Sequence, residues 1–197
     1  MKLGTLLWSG LISAAIAVAA VPGTAPAVQS CAIGRPTAAS YTWDFKREAN
    51  SILEEVQSDA RQAMNHADQL QSLEVDPNVS RETHAAQLND LKDEINDIGA
   101  KLCRLETIRR MVSPWQQRVI DQVATTTRLM ADNAQDAIAL YNDNPGELKF
   151  PTYWHYTSNL YNQSKTLTRS VENAVKFAGV SKEYRSLGHE VGARNPS

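Results

Sequence analysis

Four long stretches of this chain repeat apolar residues every three or four positions, and each is closed by Pro, Gly, Asn or Asp. That period is the signature of a helix with one buried face, because side chains three and four apart stack on the same side. In the first stretch Phe45, Ala49, Ile52, Val56, Ala60, Ala63, Ala67 and Leu70 form the row. The second carries Ala85, Leu88, Leu91, Ile95, Ile98, Leu102, Leu105 and Ile108. The third carries Val119, Val123, Met130, Ala134, Ala137 and Tyr141, with Ile120 and Ile138 beside them. The fourth, Tyr153, Thr157, Leu160, Ser164, Leu167, Val171 and Ala174, is the most polar. Four such rows can be buried together only by packing face to face. The expected fold is all-α, an antiparallel up-down-up-down four-helix bundle with long helices and short connections.

The boundaries follow from local chemistry. Helix 1 is expected from about Asp44 to Leu73, opened by Thr42 or Ser40 and stopped by Asp76-Pro77. Ser80 or Asp76 caps helix 2, which continues to about Met111. Ser113-Pro114-Trp115-Gln116 combines a capping box with proline at the first helical position, so helix 3 begins at Pro114. A single helix kinked at Pro114 is the competing reading. Asn142-Asp143-Asn144-Pro145-Gly146 is a turn, and helix 4 is expected over about Thr152 to Ala178 with Gly179 as its C-cap. The remainder, 180–197, reads as a tail with a short helix near Lys182 to Leu187.

Residues 1–27 read as an export signal: Lys2 supplies the positive start, Leu3 to Val21 is apolar or small, and Ala25-Pro26-Ala27 offers a cleavage site. Residues 28–42 form a leader, and 43–179 the bundle. This places the protein in the periplasm or outside the cell, or on the membrane through an uncleaved signal or through Cys31. Cys31 has three readings: a disulfide to Cys103, a lipid anchor, or a free thiol. In an antiparallel hairpin the start of helix 1 and the end of helix 2 coincide, which permits the disulfide.

A formal net charge of −2 gives no basic field of the kind nucleic acids require, so no nucleic-acid partner is expected. The acidic row Asp90, Asp93, Glu94 and Asp97 is followed by Lys101, Arg104, Arg109 and Arg110 on the same helix. That order complements the helix dipole and reads as a solvated face. His66, His84 and His155 all fall near helix ends that the bundle would bring together, making them weak candidates for metal ligands. Their spacing lacks His-x-x-x-His and Glu-x-x-His, and His66 and His84 flank their apolar rows. Met64, Met111 and Met130 stand at core spacing, and no cofactor is expected.

Nothing in the chain nominates a catalytic residue: there is no Gly-x-Ser-x-Gly, no phosphate loop and no His-Glu-x-x-His. The most distinctive composition is Tyr153-Trp154-His155-Tyr156 with Tyr161, the expected interaction surface. Trp43 and Trp115 are expected to meet as a plug at the other end. The functional expectation is an exported, non-enzymatic binding module whose partner is another protein or an envelope component. A metal- or cofactor-binding bundle and a coiled-coil homo-oligomer are the alternatives. If Cys31 and Cys103 are paired, the intact mass rises by two hydrogens on reduction; a mass that does not change excludes the pairing.

Overall fold

The computed structural model describes residues 44–73, 79–144 and 151–193. Every regular element among them is helical: α1 (Phe45–Leu73), α2 (Arg81–Ile108), a 3-10 turn (Arg109–Met111), α3 (Pro114–Asp143) and α4 (Pro151–Ala193). α1 packs against α2 and α4, and α3 packs against the same two helices, so the four rows close on one core. No described helix is long and apolar enough to cross a membrane. The export signal, the leader and Trp43 lie outside the described residues.

The starts of α1, α2 and α3 each have a chemical cause. The Asp44 carboxylate accepts the Arg47 N–H at 3.1 Å, which makes Asp44 the cap of α1 in place of Thr42 or Ser40. Ser80 does the same for α2, accepting from the Thr83 N–H at 3.3 Å. Between α2 and α3 the backbone is extended at Val112 and Ser113 (ψ 173° and 155°), so the helix breaks there and does not merely kink. Ser113 donates through its N–H (2.9 Å) and hydroxyl (2.7 Å) to Gln116 Oε1. The amide nitrogen of Gln116 donates to the Lys46 carbonyl and to Asn50 Oδ1, both at 2.8 Å. This side chain, 1% exposed, caps one helix and clamps it to the first turns of another.

All eight α2 row residues and all seven of α4 are buried. Leu53, absent from the expected α1 row, is buried as well, while Phe45 and Ile52 are only partly covered. Small residues dominate the α1 row at Ala49, Ala60, Ala63 and Ala67, which lets neighbouring backbones approach closely. The Thr168 hydroxyl uses that closeness, lying 2.9 Å from the Ala60 carbonyl on the facing helix. Polar partners line the α1–α2 seam. Lys101 Nζ meets Asp59 Oδ2 at 2.6 Å, with Asp59 8% exposed. Burial opposes the Lys101 charge, but the Asp59 carboxylate outweighs it and holds the ammonium above its ordinary range. Glu94 shifts upward through burial first, then through Asp59 and Asp97 nearby.

One expectation fails outright. Gly179 does not end α4: the helix continues to Ala193, and the 43 residues span about 65 Å against about 45 Å for the 30 of α3. A glycine stops a helix when it turns left-handed, and no described glycine has positive φ. An isolated helical glycine costs only about 1 kcal/mol, and no proline follows before Pro196.

Two substitutions test this packing. Gln116→Ala should cost about 2 kcal/mol, because it strips the cap and leaves the Lys46 carbonyl without that donor. Thr127, 2% exposed, has no hydrogen-bond partner for its hydroxyl among the described residues. Thr127→Val should therefore stabilise the fold by about 1 kcal/mol, read in urea melts. A destabilised Thr127→Val variant would show that this hydroxyl is engaged.

Candidate functional site

The aromatic start of α4 divides by helical geometry. Tyr153 points inward and is fully buried, and its ring meets the His84 ring edge-on at 5.6 Å with an interplanar angle of 72°. Its hydroxyl lies 3.3 Å from His84 Nδ1. Tyr153 is therefore a core residue in this fold, which corrects its assignment to the interaction surface. Tyr156 and Tyr161 are half-buried against the core, the latter with Lys165 Nζ 5.3 Å from its ring centre. Trp154, 39% exposed, and His155 are the members of the cluster that reach solvent. Beside them Arg81 stacks on the Tyr141 ring at 4.4 Å and donates to the Tyr141 carbonyl at 2.7 Å.

The three histidines have separate partners. His66 Nδ1 lies 3.0 Å from Gln87 Oε1, with Asp90 more distant at 3.9 Å. His84 engages Tyr153, and His155 Nε2 accepts from the Asn159 amide at 3.1 Å. Among the described residues no three His, Cys, Asp or Glu side chains converge as a metal site would need. His84 is 6% exposed, so it occupies its row instead of flanking it. Burial pulls its pKa below the usual histidine value. Cys103 is half-buried near the end of α2 and is not a free thiol. Its expected partner, Cys31, lies outside the described residues.

The far part of α4 provides a second candidate surface. A cleft of about 530 Å³ opens between the first turns of α1 and this segment, lined by Asp44, Arg47, Asn50, Glu54, Gly179 and Lys182, among others. The lining mixes both charge signs. Beyond it stand Phe177, Val180, Tyr184 and Leu187, which are 53%, 66%, 79% and 53% exposed. The Trp115 ring packs edge-on to Phe177 at 5.1 Å and 74°; Trp43, its expected partner, lies outside the described residues. Sequence reasoning missed this row because it stopped the helix at Gly179. The signal that reveals it is the 3-4-3 spacing of these four residues, the same period that identified the core.

Compared with known proteins, the chain matches no family model, no curated protein and no solved structure.

The buried His84 has a consequence for pH. Its folded-state pKa lies below the unfolded value of about 6.5, so the unfolded chain binds this proton first. Its contribution to stability is full above pH 6.5 and is lost as the pH falls below it, toward the folded pKa. His84→Gln should flatten that part of the stability curve between pH 7.5 and 5. Parallel curves for the two proteins would remove His84 from the pH response.

Proposed function

We propose that this protein is an exported, non-enzymatic helical bundle of the cell envelope that works by binding another protein through α4. The helices alternate in direction, up-down-up-down. That reading is supported by the order of the cross-helix pairs. As α1 runs from Glu48 through Asp59 and Gln62 to His66, its partners on α2 step back from Arg104 through Lys101 and Glu94 to Gln87. Trp115, Gln122 and Asn133 of α3 likewise meet Phe177, Ser170 and Gln163 of α4.

One observation carries the binding reading. Six large apolar side chains stand exposed among the described residues, and five of them, Trp154, Phe177, Val180, Tyr184 and Leu187, belong to α4. Scattered exposed apolar residues need no explanation, but their concentration on one helix marks a contact surface. Tyr and Trp are the side chains that anchor protein interfaces most often. Export is supported by the composition of residues 1–27, and the Cys31–Cys103 disulfide by a Cys103 that is not free.

The test places a photo-crosslinking amino acid at Trp154 or at Tyr184 in cells that make the full-length protein. The expected result is a discrete covalent adduct in the envelope fraction from at least one position, lost in an unfolded Leu91→Asp variant. No adduct from either position, or a protein retained whole in the cytoplasm, would overturn the proposal.

A further inference from the structure

The flank of α4 that faces α3 changes character where α3 begins. Alongside α3 it is polar: Asn159 and Gln163 bond to Asn133, and Ser170 accepts from the Gln122 amide at 2.8 Å. At Trp115, the second residue of α3, that flank reaches Phe177. Past this level it continues as Val180, Tyr184 and Leu187, large, apolar and exposed. A helix face open to solvent is ordinarily polar. This one is polar where α3 covers it and apolar where, among the described residues, nothing does.

We propose that this row is the contact by which two copies of the chain pair, α4 lying against α4 in opposite directions about a two-fold axis. The inference rests on the reading of α4 as the contact helix and names its partner there. Three features favour a second copy. The 3-4-3 spacing is that of a coiled-coil seam. It also reads the same in both directions, so a two-fold places Phe177 of each copy opposite Leu187 of the other, and Val180 opposite Tyr184. Such self-matching is what an isologous interface requires. Area is the third. Aromatic side chains cover ~150–250 Å² each and aliphatic ones somewhat less, so four exposed to this degree offer on the order of 500 Å² per copy. Two copies together thus bury about 1,000 Å², the lower end of the range for specific, weak association. Lys182 lies on the other side of α4, in the cleft against α1, so its charge stays out of the seam.

Sedimentation velocity of the disulfide-intact protein, from about 1 to about 100 μM, is the test, since a small interface pairs weakly and fills only as concentration rises. The expected result is a monomer–dimer equilibrium that Val180→Glu and Tyr184→Glu each weaken at least tenfold. Both positions are exposed, so melting of the dilute monomer should not change. A parent protein that stays monomeric at the highest concentration would overturn the inference, as would variants that pair like the parent. A monomer whose Tyr184 resists nitration would assign the row to the chain's own residues 1–43 instead. A parent protein that forms no dimer, while crosslinks from Trp154 or Tyr184 to another protein persist, would defeat this inference and leave the binding reading standing.

Discussion

Every apolar row in this chain has to be covered along its length, and the structure depends on how far that can be done with four helices of unequal size. The rows of α1, α2 and α3 are closed by one another and by α4 up to about Ala174. α4 then runs on with α3 no longer beside it. The same period that builds the core therefore also builds a face left exposed among the described residues. How far the rows are covered accounts for both features.

Within the covered region, polar side chains give the packing its register. Apolar rows of similar size can slide past one another by a turn at little cost, whereas a buried hydrogen bond has one correct partner. Gln116 bridges α3 to Lys46 and Asn50, Thr168 reaches the Ala60 carbonyl, and Asp59 meets Lys101. Each links helices distant in sequence and is at least half-buried, so each penalises a shifted alignment. Ser164 and Thr157 bond within α4 itself, to Leu160 and to Tyr153 and Trp154. The polar character of that row is thus absorbed locally.

Every residue assigned to the rows of α2 and α4 is buried, because those positions follow the helical period; the buried His84, Lys92 and Thr168 lie outside the expected rows. The break at Ser113-Pro114 was legible as well, where cap and proline agree. What escaped was of two kinds. Gly179 looks like a stop because glycine often is one, but whether it stops a helix depends on the φ it adopts, which composition does not report. His84 was misplaced, and Tyr153 was counted both in the buried row and in the interaction surface, because a polar atom on an otherwise apolar ring points either way. Their mutual contact spans 69 positions and leaves no local trace. Gln116 was read correctly as a cap, yet its longer reach to α1 depends on tertiary packing.

Hydrogen exchange along α4 tests the central claim most directly. Amides over 155–174 should exchange only through global unfolding. Those past Val180 should exchange far faster in dilute protein and slow as concentration rises, since a lone helical extension opens locally. Uniformly slow exchange from Pro151 to Ala193 at every concentration would contradict it, because the distal row would then already be covered within a single chain.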